Sequence, residues 1–230
     1  MALFTPGGIV GQISGRVGGN IFSHNKGGPY IRSGSIPTNP STSYQQNIRA
    51  NLANRSQEWA GLTSGQQLAW TLWAAENPVR NRLGSAVQLS GQQAYIQINH
   101  RLSQAGDTLI TVPPVVAAPT PLESLTGSYD IGAGDFQVAF AATPLGAGVR
   151  LWVNAAVVSS PGISYVKNIF RLVNISAAAA ASPLDLDAAT VARFGTLSVG
   201  QKVVFNVSTF DGATGLMSEP LRDEGIIVTT

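Results

Sequence analysis

The stretch TVPPVVAAPTP, residues 111–121, holds four of the chain's 13 prolines and separates two different patterns. Each proline fixes φ near −65° and removes a backbone donor, so neither a helix nor an inner strand runs through such a segment. Before it, apolar residues recur at helical spacing; after it, they alternate. The charge also switches there. Residues 1–106 carry eight Lys/Arg against Glu58 and Glu76, a net +6, and residues 107–230 carry six against ten acids, a net −4. A proline-rich segment at a change of both period and charge predicts a domain boundary. We place a linker at 107–121, a helical anchoring domain at 41–106 and a β-sandwich domain at 122–230.

Three S/T-x-x-Q patterns mark helix starts upstream of the linker: Ser43 with Gln46, Thr63 with Gln66, and Ser90 with Gln93. In each, the hydroxyl caps the backbone N–H three residues on and the glutamine reaches back. Tyr44, Ile48, Leu52, Arg55 and Trp59 then share a face of the first helix, Leu68, Leu72 and Trp73 mark the second, and Tyr95, Ile98 and Leu102 mark the third. Trp59, Trp70 and Trp73 read as core. The glutamines Gln45, Gln46, Gln66, Gln67, Gln92 and Gln93 all fall in first turns and suit a neutral surface buried against protein.

Downstream, Phe136, Val138 and Phe140 alternate, as do Leu151 and Val153, and Val203, Phe205 and Val207. Short strands between turn signals predict a sandwich of two sheets. SPLDLDAATVARFGTL, residues 182–197, inserts a short helix or loop, with Asp185 and Asp187 as helix-start acids rather than calcium ligands.

The first 40 residues form a third element, a glycine-rich extended arm. Nine of residues 7–35 are glycine. Ile9, Ile13, Val17 and Ile21 fall on one parity, with Gly11, Gly15 and Gly19 between them. That alternation predicts a strand with one apolar face, whose glycines admit a neighbouring backbone. Asn25–Gly28 supplies a turn, and PYIRSGSI returns as a second strand. Two strands alone are marginal in water. The arm is therefore expected to pair with a partner subunit, through Gly11, Ile13, Gly15, Arg16, Val17, Gly19, Ile21, Tyr30 and Arg32. The whole is an α+β multidomain chain: a β-arm or hairpin, about three helices, and a C-terminal sandwich.

The residues from Gly18 to Val79 resemble a group of bacteriophage virion structural-module proteins. The likeness is carried by Tyr30–Arg32, Pro37–Pro40, Gln45–Arg49, Trp59, the LTSGQQLAW run from Leu62 to Trp70, and LSGQQAYIQIN from Leu89 to Asn99. It covers residues 10–105. Residues 119–230, FNVSTFDGATGLMSEP above all, loosely resemble a fibronectin type III module of the immunoglobulin-like kind. The resemblance implies a virion protein, decorating the capsid or associated with head or tail, and no catalytic residues.

No feature of the sequence opposes that implication. The chain has no cysteine, which excludes thiolate catalysis, disulfides and cysteine zinc sites. Its histidines, His24 and His100, lie far apart, no serine sits in G-x-S-x-G, and no P-loop is present. We expect no enzyme activity, catalytic residue, metal, cofactor or small-molecule substrate. Charged residues make up only 11% of the chain, which suits an assembled protein. The N-terminus lacks signal-peptide character and no apolar run is long enough for a membrane span. The expected partners are other copies and other virion proteins, with synthesis in a host cytoplasm and residence in the virion. The alternative is a nucleic-acid-associated protein packaged inside the head, because the first half is basic.

Overall fold

The computed structural model describes residues 2–8, 10–36, 38–81, 83–132, 135–141 and 145–229. Ile9, Pro37 and Arg82 lie outside them. The protein is a mixed α and β chain with antiparallel sheets and, among the described residues, four helices. Its contacts divide into two compact units, Met1–His100 with Ile110–Pro113, and Arg101–Leu109 with Pro114–Thr230.

The first unit opens with β1 (Ala2–Leu3), β2 (Gly15–Val17), β3 (Asn20–Asn25) and β4 (Gly28–Ser33). They form one antiparallel sheet in the order β1-β4-β3-β2. The turn at Lys26–Gly27 is where the sequence placed it. The strand expected to run through Ile21 instead ends at Val17. Gly18, at φ 56°, takes a left-handed conformation and turns the chain back, and Val17 pairs with Asn20. Gly-Gly between apolar runs is a hairpin signal, and here it outweighs the alternation.

Helix α1 (Ser43–Gly61) is capped by Thr42, whose hydroxyl accepts from the Gln45 N–H, so the cap lies one residue before Ser43. Gln46 instead donates to the Ser41 carbonyl. Helix α2 (Ser64–Glu76) has the full Thr63–Gln66 capping box. Two two-residue strands, β5 (Val79–Arg80) and β6 (Ala86–Val87), make a small hairpin. Helix α3 (Gly91–Ala105) starts at Ser90, which caps the Gln93 N–H while Gln93 accepts from the Ser90 N–H.

Packing in this unit centres on Trp70 and Tyr95. Their rings meet edge to face at 5.5 Å, with Trp59 5.7 Å from Tyr95 and Trp73 5.9 Å from Trp70. The Trp70 indole N–H donates to the Thr111 carbonyl at 3.0 Å. Asn99, wholly buried, accepts from the Ile110 N–H and donates to the Ile110 and Tyr95 carbonyls. Its amide satisfies both backbone groups of residue 110, as a neighbouring strand would. The expected apolar faces of α1 and α2 are buried only in part: Tyr44, Leu52, Leu68 and Leu72 are exposed, and Trp70 and Ala74 go inside instead. The large rings fill the core, so the leucines on other faces stay in solvent.

The second unit holds β7 (Ser124–Asp130), β8 (Asp135–Ala141), β9 (Val149–Val158), β10 (Arg171–Ile175), β11 (Leu184–Asp185), α4 (Asp187–Phe194), β12 (Lys202–Asp211) and β13 (Leu221–Ile226). Strands β11-β8-β7 form a three-stranded sheet and β10-β9-β12-β13 a four-stranded one. Phe136 and Val138 of the first share one hydrophobic cluster with Leu151, Val153, Val203 and Phe205 of the second. All the alternating positions read from the sequence point into this core. Tyr129 stacks on Phe205 and donates its hydroxyl to Asp223 at 2.7 Å. Burial, reinforced by that carboxylate, pushes the Tyr129 hydroxyl far above its ordinary pKa.

Candidate functional site: the N-terminal sheet

None of the described residues of the four-stranded N-terminal sheet is fully buried. The second unit, by contrast, keeps Phe136, Val138, Leu151, Val153, Val203 and Phe205 at 0% exposure. Leu3, Ile21, Phe22, Tyr30 and Ile31 are only half-buried, so the sheet gains less from the hydrophobic effect, the main favourable term in folding, than a core sheet does.

The register sorts the side chains. Arg16 pairs with Ile21, and Ile21 with Arg32, so these three form one row across β2, β3 and β4. Tyr30 and Leu3, themselves paired, lie on the same face, since side chains two apart along a strand share a side. The opposite face carries Phe22 and Ile31, with the Phe4 ring edge-on to Phe22 at 6.1 Å. Adjacent strands lie about 4.8 Å apart, so Arg16 and Arg32 stand about 10 Å apart with an isoleucine between them. The Arg16 Nε donates to the Gly18 carbonyl at 3.0 Å, which holds that side chain over the turn.

Four of the nine partner-binding candidates, Arg16, Ile21, Tyr30 and Arg32, are thus brought together. Val17 and Gly15 belong to the opposite face, because the turn at Gly18 reverses the strand. Gly11 and Ile13 precede β2, and Gly19 lies in the turn. Nothing lies within 4 Å of where a Cβ would stand on Gly11, Gly15 or Gly19. The backbone does come near two of them, as Gly15 pairs with Phe22 and the Gly19 carbonyl accepts from the Gly34 N–H at 2.7 Å, but it leaves open the space a side chain would take. Gly15 has a separate reason, its φ of 113°, a conformation that side chains rarely adopt.

The hairpin tip is fastened within its own unit. The Gly27 N–H donates to the Asn25 side chain at 2.8 Å, and the Gly27 carbonyl accepts from Asn81 Nδ2 at 2.9 Å. Asn81 also accepts from the Leu83 and Ser85 N–H groups, so it organises the β5–β6 turn as well. Sequence reasoning missed Asn81; an asparagine opening a turn was the available signal.

Two other groups of titratable residues occur. Arg55 lies 3.0 Å from Glu58, which accepts from the Tyr95 hydroxyl at 3.4 Å. Burial, then Glu58, raises the Tyr95 hydroxyl, while burial and then Arg55 lower His100. In the second unit, Arg150 pairs with Asp107 at 2.5 Å. Among the described residues no group of three His, Asp or Glu side chains could hold a metal ion, and no helix is long and apolar enough to cross a membrane.

The residues that carry the phage resemblance have local structural work. Thr42 caps α1, Arg49 donates to Asn39, Gln66 completes a capping box, and Trp70, Tyr95 and Asn99 build the core. The first-turn glutamines act the same way: Gln46, Gln66, Gln67 and Gln93 bond to nearby backbone. That gives these four a local role at the helix starts. No protein-family model matches the chain, and no curated protein and no solved structure matches it.

Proposed function

We propose that the chain is a bacteriophage virion structural protein, decorating the capsid or associated with head or tail. It anchors through its N-terminal sheet and helices and displays an immunoglobulin or fibronectin III-like β-sandwich. The observation that carries this reading is the N-terminal sheet, ordered into four strands yet without a fully buried residue among those described. An element of that kind reaches full burial against another subunit. The seven strands of the second unit, three in one sheet and four in the other around a shared core, support the sandwich. Its place at the far end of the chain from the arm suits display.

The packaged nucleic-acid protein loses ground on one observation. Of the basic residues in the first half, Arg55 is buried beside Glu58 and Arg49 is bonded to Asn39. The net +6 already discounts the Arg55–Glu58 pair, but fewer of the eight cationic side chains are free to reach phosphates than their number suggests.

Immunogold labelling of particles from the phage that encodes the chain tests the proposal. Label on the outside of intact virions, at regular positions, is expected. Protein found only in the lysate supernatant refutes a structural role, and label appearing only after the heads are opened selects the packaged form.

A further inference from the structure

The basic row on the N-terminal sheet has a counterpart in the same chain. Residues 1–57 contain five Lys/Arg and no acid, Glu58 being the first. In the second unit, the outer face of the three-stranded sheet is acidic at one end. Asp130 pairs directly with Asp135, and Asp185 pairs with Gln137, two residues along from Asp135 and on the same face. Strands β7, β8 and β11 contain no Lys or Arg at all. The remaining outward positions, Ser124, Thr126, Ser128, Ala139 and Ala141, are small.

The two faces are opposite in sign and similar in spacing. Diagonal neighbours on a sheet lie about 7–8 Å apart, which sets the Asp135–Asp185 separation. The Arg16–Arg32 separation is about 10 Å. Long arginine side chains close a difference of that size. Between the arginines stands Ile21, and beyond it Tyr30 and Leu3; between Asp135 and Asp185 stands Gln137, whose amide donates to Asp135, and beyond them the small side chains of Ser128, Thr126 and Ala139. Both Arg16 and Arg32 are exposed, as is Asp185.

We infer that the Arg16–Ile21–Arg32 face of one copy docks on the Asp130–Asp135–Asp185 face of a second copy. The occupant is a second copy because charge of both signs, at matching spacing, is present on the one chain. Since the two faces differ, the contact is heterologous. Each copy offers one face of each kind, and where two different neighbours fill them association continues into a ring or a filament. The inference names the partner of the surface on which the proposed assembly role rests.

The test uses the full chain and two variants, Arg16→Gln/Arg32→Gln and Asp135→Asn/Asp185→Asn, with circular dichroism to confirm the fold of each. Asparagine keeps the acceptors that Ser128 and Asp187 use and gives up only the second Asp135 oxygen, to which Gln137 donates. Sedimentation velocity at low salt is expected to show oligomers larger than dimers for the parent chain. Each variant alone is expected to associate about tenfold more weakly or worse. Mixed in equal amounts they are expected to form a dimer and stop there, because one intact face of each kind remains. Raising salt from about 0.01 to about 1 M, which shortens the Debye length from about 30 to about 3 Å, should dissociate the parent oligomer. A parent chain that stays monomeric at low salt overturns the inference while leaving particle labelling to judge the virion reading. So does a variant that assembles as well as the parent, or a mixture that fails to dimerise. A variant that fails the circular dichroism check is replaced by Arg32→Gln or Asp185→Asn alone, and the same outcomes decide.

Discussion

A Cβ placed on Gly91 would lie 2.6 Å from the Thr71 hydroxyl and 2.8 Å from the Thr71 backbone nitrogen. Helices α2 and α3 therefore meet backbone to side chain at this point, at a separation only glycine allows. Gly91→Ala is expected to push the helices apart and cost about 1–3 kcal/mol, the usual penalty of overpacking. A thermal melt that leaves the transition unmoved would show that the helices part without cost.

Asn99 offers a second, chemically different test. Its replacement by alanine removes the partner of the Ile110 N–H and one partner of the Ile110 carbonyl, beside a wholly buried side chain. The expected loss is about 2–3 kcal/mol in urea titration. Asn99→Asp keeps the acceptor but loses the donor, and buries a charge, so it should be no milder than alanine.

Gly225 backs the Tyr129 ring so closely that a Cβ would stand 2.3 Å from two ring carbons. Gly225→Ala should displace the ring from its stack on Phe205 and unfold the second unit at lower temperature, by more than Tyr129→Phe does. The latter keeps the ring and loses only the bond to Asp223, about 1 kcal/mol. Thermal melts of the two variants side by side check the order, and a Gly225→Ala transition no lower than that of Tyr129→Phe would overturn it.

The arm glycines separate folding from assembly. Gly11→Val/Gly19→Val meets open space within the chain and should leave thermal stability unchanged within about 0.5 kcal/mol. If a neighbour's backbone lies there in the particle, the same variant should be depleted from purified virions, as read by quantitative mass spectrometry. Incorporation at the parental level would exclude that close approach. Gly15 is left unchanged because its φ of 113° would add strain of its own.

Acid should weaken the first unit through His100. Burial holds its folded pKa below the ordinary value, so the unfolded chain takes up this proton first as pH falls. The stabilisation is complete above the unfolded pKa of about 6.5 and is lost as pH drops through the folded value. His100→Gln should flatten the stability profile of the first unit below that point in chemical denaturation, and an unchanged slope would assign the acid sensitivity elsewhere.

The parts of the fold legible in the sequence are those with one dominant cause. Phe136, Val138, Val203 and Phe205 alternate because a two-sheet core demands it, and they lie where the alternation put them. The capping boxes at Thr63 and Ser90 are local chemistry and fold as written. At Ser43 the hydroxyl one residue earlier, Thr42, captured the cap, since both satisfy the same preference. Spacing alone failed on α1 and α2, where Leu52, Leu68 and Leu72 have helical periodicity yet lose the interior to Trp70 and Tyr95. It failed again at Val17, where alternation and a Gly-Gly turn made opposite demands. The row of Arg16, Ile21 and Arg32 was invisible for a plain reason: it exists only once the register of three strands is fixed.

The bond between Asn81 and Gly27 joins residues 54 positions apart, which matters for the order in which the chain is made. Translation delivers the arm first and its clamp only after both α1 and α2 have been synthesised. At about 5–20 residues per second, several seconds pass with strands β1 to β4 outside the ribosome tunnel's far end and their tether still unmade. During that interval the hairpin tip has only its own strand pairing and the bond from the Gly27 N–H to Asn25 to hold it.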